Sequence, residues 1–214
     1  MSGIARNYRL FWSYKPLCWN AFFSILFLIF SLFINYLANI YATVHASNSV
    51  TDLFLSNLPV INVYLVFYQG FILLSAFIAF LLVREPAKIS FVVKSISIFI
   101  LIRAFFLTLT HIGAPRLPYH PDQDGLLSDF TSGEDMFFSM HTGLPFLMAL
   151  MFWENRRLKY LFIAAAFVFG AGVLVGHLHY SIDVFAAPFM AYSIFCLVQR
   201  FFPADYRIFT GREA

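Results

Sequence analysis

The chain has 214 residues, of which 61% are hydrophobic, 20% aromatic and 12% charged, and its formal net charge is +3. A water-soluble domain of this length needs a far more polar surface, so the bulk of the chain must face lipid. Two cysteines, Cys18 and Cys196, make no disulfide framework, and so modest a charge makes no nucleic-acid-binding surface.

Taken in chain order, apolar runs of about 20 residues predict membrane-spanning helices. They cover 19–41, 60–83, 91–111, 137–153, 160–177 and 182–202. The fourth and fifth are short because polar residues occupy their outer ends. The first run is longer than the apolar core of a signal peptide and reads as a signal anchor. No linker, low-complexity tract or internal repeat interrupts the series. The expectation is a single all-α membrane domain over residues 1–214, with six transmembrane helices.

The joints between the runs carry the polar residues. Loop one, Ser47 to Pro59, contains Val50-Thr51-Asp52-Leu53-Phe54, an amphipathic stretch suited to the bilayer interface. Loop three begins with Gly113-Ala114-Pro115-Arg116-Leu117-Pro118, where two prolines break any helix and project Arg116 above the membrane. Its acidic residues, Asp122, Asp124, Asp129, Glu134 and Asp135, read as solvated surface. Pro145 fits the first turn of the fourth span, where its missing N–H does least harm. That placement sets His141 just above a helix N-terminus, whose free N–H groups favour a phosphate.

Charge asymmetry predicts the orientation. Arg6, Arg9, Lys15, Arg84, Lys88, Lys94, Arg156, Arg157, Lys159, Arg200, Arg207 and Arg212 all fall on one side of the six spans, which is twelve of the fourteen Lys and Arg residues. Only Arg103 and Arg116 fall elsewhere. The positive-inside rule then puts both termini in the cytosol. All six histidines, His45, His111, His120, His141, His177 and His179, map to the opposite, exoplasmic side.

Three groups point to chemistry. Ionisable residues at the mouths of apolar runs are costly and usually functional. His141 stands in Ser139-Met140-His141-Thr142, and His177-Leu178-His179-Tyr180-Ser181-Ile182-Asp183 follows. On a helix, His179 and Asp183 share a face, so the carboxylate can orient the imidazole. An oriented histidine plus a second histidine suffices for covalent phosphoryl transfer, one attacking phosphorus and the other protonating the leaving oxygen. Arg103 lies inside the third span, where a phosphate partner accounts for it better than snorkelling does. His177 falls on another face and reads as structural.

These residues resemble a known family. Ser139-Met140-His141-Thr142 is similar to the Ser-Gly-His-Thr motif of sphingomyelin synthases and related sphingolipid synthases, and His179-Tyr180-Ser181-Ile182-Asp183-Val184 to their His-Tyr-Thr-x-Asp-Val motif. Gly133-Glu134-Asp135 looks like an altered Cys-Gly-Asp. Asp52-Leu53-Phe54 with Pro59, and the stretch from Arg103 to Pro118, resemble upstream blocks. The resemblance runs from about residue 50 to 200. It implies the six-helix bundle of the type 2 phosphatidic acid phosphatase superfamily.

Carried over by motif, His179 is the nucleophile, Asp183 its orienting carboxylate and His141 the acid/base, with Arg103 and Arg116 as phosphate-binding residues. Met140 departs from the motif glycine, and Ser132 stands near the expected cysteine. Val173 stands where superfamily phosphatases carry an arginine, six residues before the nucleophile, and this favours the synthase branch. The implied reaction moves a phospho-head group from a glycerophospholipid to ceramide or a similar lipid alcohol, releasing diacylglycerol. It needs no metal or other cofactor.

A lipid phosphatase or a phospholipase C-like hydrolase is the alternative if water is the second nucleophile. From another class, His141, His177, His179 and Asp183 compose a metal-ligand set for a transporter or a metal-dependent enzyme. A non-catalytic scaffold with a decayed site is the last reading, and Met140 is its support.

Overall fold

The structure, a computed structural model, describes Tyr8, residues 15–115 and residues 137–211. Among these residues the regular structure is helical, with no strand. The helices are α1 (Lys15–His45), α2 (Phe71–Arg84), α3 (Ile89–Leu109), α4 (Met140–Met151), α5 (Arg156–Val175), α6 (Ser181–Phe201) and α7 (Pro203–Thr210). A π-helical turn, Leu65–Gly70, leads into α2, and a 3-10 turn, Pro86–Lys88, leads into α3.

Among the described residues, five segments are long and apolar enough to cross a bilayer: Lys15–His45, Leu65–Arg84, Pro86–Leu109, Arg156–Val175 and Ser181–Phe201. This is the pattern of a multi-pass membrane protein.

The fourth run departs from expectation. Its helix covers only Met140–Met151, 12 residues, or about 18 Å against a hydrocarbon core of about 30 Å. A polar cap sets its start, and the helix that follows has a polar cap of its own. The Ser139 hydroxyl accepts the Thr142 N–H at the start of α4, and the Asn155 side chain accepts the Arg157 and Leu158 N–H groups to start α5. Pro145 is consequently the sixth residue of α4 and stands inside the helix, not in its first turn. Its missing N–H leaves the His141 carbonyl without a helical donor.

Helix α4 packs against α5 and α6, with Leu147, Met148 and Ala149 fully buried. Gly143 is required there, because a Cβ would fall 2.7 Å from the Phe99 ring of α3. Helix α1 is peripheral and packs on α3. Its buried residues are all small, namely Ala21, Ser24, Ser31, Ala38 and Ala42, which lets the two backbones approach. The hydroxyls of Ser24 and Ser31 donate to the Asn20 and Leu28 carbonyls of their own helix, so neither needs a partner across the interface. The outward faces carry Trp19, Phe23, Phe33, Phe167 and Phe189, all more than half exposed, as a lipid-facing surface should.

The bundle has two dissimilar ends. At one, Lys94 donates to Asn20 Oδ1 at 2.6 Å and to Asp205 Oδ2 at 2.7 Å, while the Asn20 amide donates to Asp205. This joins the start of α1, the start of α3 and α7. Lys88 pairs with Glu85 and lies over the Phe152 and Phe209 rings at the same end. The other end is stitched by backbone. Ser47 N–H donates to the His111 carbonyl, Ile61 N–H to Val175 and Ser139 N–H to Asp183. Gly113 lies so close to loop one that a Cβ would stand 2.2 Å from the Ser47 carbonyl oxygen.

Candidate active site

Both histidine motifs lie at this second end, and α4 and α6 bring them together. The Ser139 N–H donates to the Asp183 carbonyl oxygen at 3.0 Å, so the N-cap of α4 is held against the first turn of α6.

The second motif is not helical where the spacing suggested. Helix α5 ends at Val175 and α6 starts at Ser181, leaving His179 in the turn between them. The reason is a capping box. Tyr180 is the N-cap of α6 with extended φ −70° and ψ 157°, and its N–H donates to Asp183 Oδ2 at 3.0 Å. His179 and Asp183 still meet: Nδ1 stands 3.5 Å from Oδ2, with both side chains buried. That is ion-pair distance without a hydrogen bond, and Nδ1 has no hydrogen-bond partner.

His177 takes φ +52°, a left-handed conformation rare for a side-chain-bearing residue, and its Nε2 lies 3.2 Å from the Leu58 carbonyl. It faces loop one, away from the pair. Among the described residues, no three His, Cys, Asp or Glu side chains converge as a metal-ligand set.

His141 is in the first turn of α4, within the helix instead of above it. Its ring stacks on Phe67 with centroids 3.9 Å apart and meets tilted rings of Phe71 at 4.4 Å and Phe169 at 6.2 Å. The π-helical turn puts Phe67 and Phe71 on the same side of their segment, so both rings grip the imidazole. His141 lies within electrostatic reach of His179 and of Arg103. Phe71 and Phe169 each stand six residues in from the histidine-end limits of their helical segments, Leu65 and Val175. His141 is therefore recessed by about 9 Å of helical rise.

Arg103 is 1% exposed. Its Nε donates to the Phe138 carbonyl at 3.1 Å, just ahead of α4, and Nη1 donates to Asn35 Oδ1 of α1 at 3.4 Å. Arg116 lies outside the described residues, as do His120 and the Gly133-Glu134-Asp135 segment.

Three features carried no assignment in the sequence. The Thr142 hydroxyl, next to His141, is buried without a hydrogen-bond partner. The Tyr180 hydroxyl donates to the Gly113 carbonyl at 2.8 Å and accepts the Val50 N–H. Asp52 accepts the Ser181 N–H and hydroxyl on Oδ2, each at 2.8 Å, and the Phe54 and Leu55 N–H groups on Oδ1. Burial pushes the Asp52 carboxyl up, but the hydrogen bonds from Leu55, Ser181 and Phe54 outweigh it and hold the carboxyl below its ordinary value. The available signal was the lone carboxylate of loop one, and a tyrosine between the histidine and the aspartate.

A His–Asp contact, a second histidine and a buried guanidinium thus occupy one end of the bundle. Such a set can attack phosphorus, exchange a proton with an oxygen and offset negative charge. No family model, curated protein or solved structure matches the chain.

Proposed function

We propose that the chain is a membrane phosphotransferase. It moves a phospho-head group from a glycerophospholipid to ceramide or a similar lipid alcohol, through a phosphohistidine on His179. The observation that carries this reading is the buried His179–Asp183 contact, with His141 and Arg103 in electrostatic reach of each other at the same end of the bundle. The motif resemblance supplies the substrate class. The same reading takes α4 as a short sixth membrane element of a type 2 phosphatidic acid phosphatase-like bundle, with both termini cytosolic and the site exoplasmic.

Asp183 lies against Nδ1 of His179, which leaves Nε2 as the attacking atom. In the first step Nε2 bonds to the donor phosphorus, the bond from phosphorus to the glycerol oxygen breaks, and protonated His141 gives that oxygen its proton. Diacylglycerol leaves. In the second step neutral His141 removes the proton of the acceptor hydroxyl, whose oxygen attacks phosphorus. The phosphorus–nitrogen bond breaks and His179 is restored. The charge of Arg103 is placed to offset negative charge at phosphorus, and Arg116 is proposed as a second phosphate contact.

The recess around His141 favours a lipid acceptor over water, since the intermediate must survive in a solvent of about 55 M concentration. The test is purified protein in nanodiscs with phosphatidylcholine or phosphatidylethanolamine labelled in the head group, with and without ceramide. Diacylglycerol formation that rises with ceramide and matches the phosphosphingolipid formed is the expected result. Diacylglycerol matched by water-soluble phosphate, and indifferent to any lipid alcohol, makes the protein a hydrolase.

A further inference from the structure

Because His179 lies outside α6, helical geometry alone does not hold it beside Asp183. Only Tyr180, Ser181 and Ile182 separate the two, and Tyr180 is extended. Two of these three residues are held from outside the motif by loop one. Val50 N–H donates to the Tyr180 hydroxyl, and Asp52 Oδ2 takes both donors of Ser181. Asp52 Oδ1 meanwhile takes the Phe54 and Leu55 N–H groups, which locks its own turn. One carboxylate therefore accepts four hydrogen bonds, two from each side of a joint between segments 129 positions apart. A neutral amide at this position has one acceptor oxygen and cannot do the same. Asp183 already caps α6 through the Tyr180 N–H, so Asp52 is not needed merely to start the helix.

We propose that Asp52 is a positioning residue for the His179–Asp183 pair, acting through Ser181 to fix the turn that presents His179. The inference rests on reading that pair as the reacting one, but its test does not depend on turnover. With Ser181 clamped, Nδ1 of His179 stays 3.5 Å from Asp183 Oδ2, where the carboxylate charge favours the tautomer with its proton on Nδ1. Without the clamp the turn gains freedom, and the ring samples both tautomers. Misplacement of a nucleophile by about 1 Å can cost on the order of 100-fold in rate.

The experiment uses full-length protein with 15N-labelled histidine in nanodiscs, the His179 signals being assigned by their loss in His179→Gln. Wild type should show a single Nδ1–H tautomer, and Asp52→Asn a mixture. In the head-group transfer assay Asp52→Asn should lower kcat about 10-fold or more with KM within about 2-fold, and Asp52→Glu should recover part of the loss. Ser181→Ala keeps the backbone bond to Asp52, so it should shift both readouts less, in the same direction, and it remains informative if Asp52→Asn folds poorly. Folded Asp52→Asn or Ser181→Ala protein with the wild-type tautomer spectrum overturns the positioning role, whatever the activity. A tautomer mixture in the variants beside a wild type that transfers no head group supports the positioning role and removes the phosphotransferase reading instead.

Discussion

The two ends of the bundle handle buried polarity in opposite ways. At the basic end the described charges have counterparts: Lys94 sits between Asn20 and the buried Asp205, and the partly exposed Lys88 between Glu85 and two phenylalanine rings. At the histidine end, Asn39 Oδ1, His111 Nε2, Thr142 Oγ1 and His179 Nδ1 are buried without hydrogen-bond partners, and His177 is backbone-strained. An unpaired buried polar group costs about 1–3 kcal/mol. Satisfied charges hold a structure together. Costly, unsatisfied polar groups beside the His179–Asp183 contact are where the proposed substrate would find partners.

Exchanging side chains between these roles should separate activity from stability. The largest effect is expected at the histidine end: His179→Ala should lower turnover at least about 1,000-fold, and His141→Ala about 100-fold or more, with membrane insertion and unfolding midpoint unchanged. Asp183→Asn keeps an oxygen for the Tyr180 N–H and should lose activity on a similar scale while folding normally. Lys94→Met should do the reverse. It leaves Asp205 buried without its cation, costs about 3 kcal/mol in detergent unfolding, and leaves kcat per folded molecule intact. A Lys94→Met protein that is stable but inactive would erase the distinction between the ends.

Sidedness is the next arm. Asn57→Cys should react with impermeant thiol reagents outside sealed cells, and Glu154→Cys only after the membrane is opened, by the positive-inside rule. The opposite pattern would put the histidine end in the cytosol.

The smallest effect concerns acid. The folded Asp52 carboxyl sits below its unfolded value, so its stabilisation is complete above the ordinary carboxylate range and is lost as pH falls through the lowered folded value. The stability difference between wild type and Asp52→Asn, followed by unfolding midpoints, should be constant at neutral pH and shrink below about pH 4. A difference that grows with acid would contradict the hydrogen-bonded carboxylate.

How much of this was legible in the sequence depended on the range of the interaction. Five long apolar runs announce their helices, because hydropathy acts residue by residue. The limits of α4 escaped, because its start is set by the Ser139 cap, inside a run that hydropathy reads as continuous. The same local chemistry moved Pro145 into the helix interior and left His179 in a turn, where a helical i, i+4 argument does not apply. The His179–Asp183 contact was legible from spacing even though the reason given for it was not the one that operates. The bonds from Asp52 to Ser181 and from Arg103 to Asn35 join distant segments, and nothing in one sequence reports such partners.

The central claim is that His179 becomes covalently bonded to phosphorus. Purified protein should be mixed with phospholipid carrying labelled head-group phosphorus, without an acceptor, quenched in alkali to preserve a phosphorus–nitrogen bond, and digested for mass spectrometry. The account predicts a phospho-head-group adduct on the His179 peptide, formed equally in EDTA, absent from His179→Ala and discharged when ceramide is added before the quench. Turnover without any such adduct, or an adduct on another residue that persists in His179→Ala, would contradict it.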